Sequence, residues 1–191
     1  MLNRQKAILR EHLKLARQAL SQQQRQEFDQ AIHARLQARV EQSDTVFCYV
    51  STDAEVNTRD VIDRLRTLGK TVLVPKIINM EKMIAVRFDG WEHLRAGQLG
   101  ILAPENDAEW QSPVDLSITP GLGFTLDGKR IGYGKGYYDK WFAAHPHTAR
   151  TALCYECQIV DDMPVTDTDV RVEKIITEQR IIDCQGPGIR G

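Results

Sequence analysis

The chain has 191 residues, enough to bury a core of its own and few for two ordinary domains, so one domain is expected over 1–191. Its 25 Lys and Arg against 26 Asp and Glu leave a net charge of -1, which gives no global field for a nucleic-acid backbone or an anionic membrane. The apolar runs fall far short of a membrane span and the first residues carry a charged helical pattern instead of an apolar leader, so a cytoplasmic monomer with no nucleic-acid or membrane partner is expected, and any anion site must be local.

Leu9, Leu13, Ala16 and Leu20 recur at helical spacing and predict a first helix over about 4–20, with Lys6, Arg10, Lys14 and Arg17 forming a basic stripe beside the apolar one. Ser21 and Gln24 have the spacing of a capping box, and Phe28, Ile32, Leu36 and Val40 carry a second helix to about residue 40. The pattern then changes. TVFCYV at 45–50 reads as a strand, Thr58 as the cap of a helix bearing Val61, Ile62, Leu65 and Leu68, Gly69 as its end, and TVLVP at 71–75 as the next strand. Strand, helix and strand make a βαβ unit, hence a parallel pair with a right-handed crossover.

Residues 83–88 suit a short strand and 89–114 an irregular connection. DLSITPGLGF at 115–124 reads as a strand running into a glycine-rich loop; a helix over about 135–144, the strand TALCYE and the pairs Ile175, Ile176 and Ile181, Ile182 extend the sheet, and 183–191 form a loose tail. The fold class is α/β, three layers with a mostly parallel central sheet flanked by helices. Cys48, Cys154, Cys157 and Cys184 have no framework spacing. Cys154-x-x-Cys157 lies in TALCYEC at 151–157, which reads as a strand and turns the two thiols to opposite faces, and no second half completes a metal site, so structural thiols are expected.

The stretch RIGYGKGYYD at 130–139 sets three glycines between Arg130 and the start of a helix. Gly132, Gly134 and Gly136 let the backbone approach a ligand, and the helix aims free amides and its positive dipole end at an anion. The Walker spacing fails, since Gly136 stands where Ser or Thr would hold magnesium, and the dinucleotide fingerprint fails at Tyr137 and Leu126. What remains is a nonstandard phosphate cradle. In it Arg130 and Lys135 neutralise phosphate oxygens, Tyr137 or Tyr138 stacks or hydrogen-bonds, and Asp139 reaches a phosphate-bound metal; a glycine-rich turn with core tyrosines is the structural alternative.

PGLGFTLDGKRIGYGKGYYDKWF at 120–142 closely resembles the signature of the 5-formyltetrahydrofolate cyclo-ligase (methenyltetrahydrofolate synthetase) family. KAILR at 6–10, YVSTDAEVNT at 49–58, Pro75, GILAPE at 100–105, the Q-x-V of ECQIV and D-x-x-V-x-x-I-I-T-E at 169–178 resemble the family's other segments in order and spacing. The resemblance implies an ATP- and Mg2+-dependent closure of 5-formyltetrahydrofolate to 5,10-methenyltetrahydrofolate with release of ADP and phosphate, through a phosphorylated formyl oxygen. It implies ATP contacts at Lys6, Arg10 and the loop Arg130, Gly132, Tyr133, Gly134, Lys135, Gly136, Tyr137 and Tyr138, with Lys135, Arg130 and Tyr138 acting in catalysis. Magnesium ligands are implied at Asp139 and Asp169, and folate contacts at Thr52, Glu55, Asn57, Tyr133, Lys135 and Tyr137. The chain departs from the family at Thr125 and Glu173, where aspartate is usual, and at Asn57, where an acidic residue is frequent. A noncatalytic nucleotide or folate binder, and a sugar-phosphate isomerase on a similar scaffold, are the alternative functions.

Overall fold

The structure is a computed structural model and describes residues 1–52 and 54–184. Two helices, α1 (Leu2–Gln18) and α2 (Gln22–Glu41), precede β1 (Thr45–Cys48), α3 (Arg59–Thr67), β2 (Thr71–Ile77) and β3 (Met83–Arg87). A small hairpin of β4 (Leu94–Ala96) and β5 (Leu102–Pro104) leads to β6 (Leu116–Thr119) and a second one of β7 (Gly123–Phe124) and β8 (Arg130–Ile131). The chain closes with α4 (Tyr137–Ala144), β9 (Ala149–Leu153), β10 (Lys174–Ile176) and β11 (Ile181–Asp183).

Among the described residues seven strands form one sheet in the order β11-β10-β9-β6-β1-β2-β3, parallel at its five central strands and antiparallel at both edges. Alternation along the strands builds the layers. Val46, Cys48, Val72 and Val74 face Ile32, Leu36, Ile62 and Leu65 of α2 and α3, whereas Phe47 and Leu73 meet Trp141 and Phe142 of α4. From β1 the chain winds through α3 to β2 in one direction, and from β6 through α4 to β9 in the other. The connections therefore diverge at the carboxyl ends of β1 and β6, the place where a doubly wound sheet leaves a crevice.

Several boundaries differ from the sequence reading. α1 ends at Gln18, so Leu20 lies past it, whereas the Ser21 and Gln24 capping box closes with bonds of 3.1 and 2.9 Å. Thr58 stands before α3 without capping it: its hydroxyl donates to Tyr49 O at 2.6 Å and accepts from Ser51 N at 3.0 Å, and Asn57 Oδ1 takes the Arg59 N–H at 2.8 Å instead. Thr58 is fully buried, and its hydroxyl latches the segment leaving β1. The connection 89–114 holds the β4 and β5 hairpin. β9 stops at Leu153, so Cys157 sits in a 3-10 turn and strand alternation does not govern the C-x-x-C; all four cysteines are free thiols, Cys48 and Cys154 buried and Cys157 exposed. In the predicted loose tail, Asp183 belongs to β11 and Cys184 N donates to Glu173 O at 2.8 Å, while 185–191 lie outside the described residues. No helix among the described residues is long and apolar enough to cross a membrane.

α1 packs by Leu13 on Leu122, Ile131 and Met163, and a Cβ on Gly123 would lie 2.5 Å from Leu13 Cδ1. That close approach brings the basic stripe of α1 to the loop that follows β8.

Candidate active site

The carboxyl ends of β1, β2 and β6 open into a cavity of about 660 Å³. Its floor is the loop between β8 and α4. Gly134 and Gly136 have φ of +100° and +69°, the left-handed region that costs any other residue about 1–2 kcal/mol, and Gly136 is the N-cap of α4. None of the backbone N–H groups of residues 132–136 finds an acceptor among the described residues. Together with the open first turn of α4 they form a concavity of donors suited to an anion.

Cations ring this concavity. Arg10 Nε donates to Gly132 O at 2.9 Å, and Lys135 makes no hydrogen bond or ion pair with a described residue. Arg130, 8% exposed, donates to Asp139 Oδ1 at 3.2 Å and to Pro120 O at 3.3 Å, and lies 5.6 Å from the centre of the Tyr138 ring. Burial holds the Tyr138 phenol well above its ordinary value, so it remains neutral. Lys6 donates to Asp169 Oδ2 at 2.6 Å. Burial alone would raise the Asp169 carboxyl, but the Lys6 ammonium and the Thr166 amide hold it below its ordinary 3.8. Its stabilising contribution is therefore complete above that ordinary value and is lost as pH falls through the lowered one.

Asp139 Oδ1 also accepts from Val170 N at 3.0 Å, which seats the carboxylate beside Asp169 across thirty residues of chain, and both line the cavity. Among the described residues no group of three or more His, Cys, Asp or Glu side chains converges as a metal-binding set. Two neighbouring carboxylates are hard oxygen donors, and they fit a magnesium ion that keeps its other ligands from phosphate and water.

On the other side of the glycine loop, Glu55 Oε2 accepts from Thr52 N at 2.8 Å and Thr52 Oγ1 at 3.2 Å, and its Oε1 accepts from Tyr133 OH at 2.6 Å. Burial of the hydroxyl end, reinforced by the Glu55 carboxylate, pushes the Tyr133 phenol up. Tyr137 OH donates to Asn79 O at 3.0 Å, tying the start of α4 to the β2 and β3 turn. Of the sequence-predicted site residues, Lys6, Arg10, Thr52, Glu55, Arg130, the loop through Tyr138, Asp139 and Asp169 line one cavity. Asn57 is not among its lining residues, because its amide is engaged at the start of α3. Lys14 is not among them either and pairs with Glu11. Thr125 and Glu173, the two other departures from the family, serve a turn with Asp127 and a pair with Arg150 away from the cavity.

The remaining wall is one that the sequence reading leaves as irregular connection. Leu99, Ile101, Ala103 and Pro104 of the β4 and β5 hairpin face the cavity, and Leu99 is 65% exposed with φ of +59°. Lys76 holds the hairpin's exit through Glu105 O at 2.8 Å, Asn106 O at 2.9 Å and Asp107 Oδ1 at 2.7 Å. Three-residue strands carry too little alternation to be found by period; the GILAPE match at 100–105 is the one sequence signal there.

A doubly wound α/β fold with one large cleft at its switch point, walled by charge on one side and apolar groups on the other, defines a small-molecule enzyme of the α/β class. Residues 3–178 match the model of the 5-formyltetrahydrofolate cyclo-ligase family. The chain is 29% identical to the probable 5-formyltetrahydrofolate cyclo-ligase of Caenorhabditis elegans, over 93% of this chain and 94% of that one, and 28% identical to the Escherichia coli K12 5-formyltetrahydrofolate cyclo-ligase, over 86% and 96%. Among solved structures it superposes on Aquifex aeolicus 5,10-methenyltetrahydrofolate synthetase with a TM-score of 0.83 at 25% identity, covering 97% of this chain and 96% of that one. The chain belongs to the 5-formyltetrahydrofolate cyclo-ligase family.

Proposed function

We propose that the protein closes 5-formyltetrahydrofolate to 5,10-methenyltetrahydrofolate at the expense of ATP, releasing ADP and phosphate. The formyl oxygen is a poor leaving group. It attacks the γ-phosphorus as the bond to ADP breaks; N10 then attacks the formyl carbon, the C–O bond breaks, phosphate departs and N10 loses its proton. Both halves of this sequence need charge held in place more than they need covalent help from the protein.

The observation that carries the proposal is the convergence in one cavity of the amides of 132–136, which have no acceptor among the described residues, the cations Lys6, Arg10, Arg130 and Lys135, and the carboxylates of Asp139 and Asp169. In this reading the amides, Arg10 and Lys135 hold the triphosphate. Arg130, kept in place by Asp139, Pro120 O and the Tyr138 ring, faces the transferring group. Asp139 and Asp169 would hold Mg2+, which supplies charge neutralisation at the phosphates when bound. Thr52, Glu55 and Tyr133 meet the polar edge of the reduced pterin, and the apolar hairpin wall covers its ring. The test is to mix the protein with 5-formyltetrahydrofolate, ATP and magnesium and follow the absorbance of the methenyl product. A rise that needs all three is expected; no rise, or one that is independent of ATP, overturns the proposal.

A further inference from the structure

Arg17 lies at the last turn of α1, 5% exposed, and its Nε is buried with no hydrogen-bond partner among the described residues. A guanidinium withdrawn from water without a carboxylate is costly, so what it touches is informative. Arg17 NH1 donates to Tyr133 OH at 3.1 Å, and its guanidinium carbon lies 5.9 Å from the Tyr133 ring centre. An arginine has no acceptor, so the tyrosine oxygen must receive this bond, and its one hydroxyl hydrogen goes to Glu55 Oε1. Glu55 Oε2 in turn fixes the amide and hydroxyl of Thr52. The result is a hydrogen-bonded chain of one polarity, Arg17 to Tyr133 to Glu55, that ends on Thr52 and ties the glycine loop to the segment leaving β1.

We propose that Arg17 is a positioning residue: acting through the Tyr133 hydroxyl, it sets Glu55 and Thr52 for the folate and couples folate binding to the conformation of the nucleotide loop. This rests on the folate site assigned under Proposed function. Arg17 itself touches neither substrate. Its cation fixes the direction of the phenolic hydrogen, and loss of either member frees Glu55 to turn.

The experiment compares wild type, Arg17→Met, Tyr133→Phe and the double variant. Folate dissociation constants are measured by calorimetry with a nonhydrolysable ATP analogue present, and exchange of the Thr52 amide is followed by NMR. Each single variant is expected to weaken folate binding roughly tenfold, as loss of a hydrogen bond to a charged group does. The double variant should be no weaker than either single one, because the two residues act in series. Thr52 exchange should quicken in all three variants, while binding of the analogue alone by Arg17→Met stays within about twofold. Additive losses, or a lowered melting temperature with folate affinity and Thr52 exchange unchanged, would make Arg17 a packing residue and overturn the inference. If Arg17→Met folds poorly, Arg17→Lys, which keeps the charge at the end of α1 but not the guanidinium that reaches the Tyr133 hydroxyl, takes its place, and folate affinity and Thr52 exchange equal to wild type in that variant would likewise overturn the inference. Absence of folate binding by the wild type would fell the functional reading first, and this inference with it.

Discussion

The two walls of the cavity are built on opposite principles. The glycine wall is short in sequence, set between β8 and α4, and crowded with charge: Arg130 against Asp139, Lys6 against Asp169, and Lys135 with no partner among the described residues. The hairpin wall is apolar at its tip, held at its exit by Lys76 and through Gln98 Nε2 to Ile78 O at 3.1 Å, and carries the strained Leu99 at the cavity's edge. One wall offers fixed charge to a highly anionic ligand and the other offers a surface for a flat ring. Together they make an amphipathic cleft with a definite orientation for what it binds.

Substitutions at each wall can break this division. The largest effect belongs to the charged side: Asp169→Asn is expected to cut turnover by about 10²-fold, or to raise the magnesium needed for half-maximal rate by a similar factor. An unchanged magnesium titration would reduce Asp169 to a surface carboxylate held by Lys6. Next comes Lys135→Ala, whose expected loss of nucleotide affinity corresponds to about 1.5–3 kcal/mol. Its melting temperature should stay close to that of wild type, because Lys135 has no described partner to lose; equal nucleotide affinity would remove it from the phosphate site. The smallest effect lies on the apolar side. Leu99→Gly relieves the positive φ, so stability should not fall, while the folate KM rises about threefold and nucleotide affinity is unchanged. A nucleotide-specific defect in that variant would show that the walls do not divide their ligands.

How much of this was legible in the sequence follows from the same contrast. The glycine wall concentrates its chemistry in ten consecutive residues, where glycine spacing, cations and a helix start can be read together, and the parallel core follows from β-branched runs separated by a helical period. Family resemblance was needed to bring Lys6, Asp169, Thr52 and Glu55 to it, because no local pattern ties residues so far apart. Arg17 was visible only as part of a basic stripe, since a helical period cannot distinguish a charge facing water from one buried against Tyr133. The C-x-x-C went the other way: its pattern was plain, but β9 ends at Leu153, and the strand argument does not apply to a turn.

The seating of α1 bears on how the enzyme comes into being. Its contacts with the site span 163 residues from Lys6 to Asp169, 122 from Arg10 to Gly132 and 116 from Arg17 to Tyr133. Such pairs close loops of more than a hundred residues and gain nothing until both ends are present, so they form late on the folding path. A nascent chain on the ribosome that has not yet released Asp169 carries α1 without the counter-charge of Lys6. A chain that ends before Leu122 lacks both the apolar floor of Leu122, Ile131 and Met163 and the polar partners Gly132, Tyr133 and Asp169, so it leaves α1 with an exposed apolar stripe and a basic face without its contacts, the kind of surface that makes incomplete chains prone to aggregate.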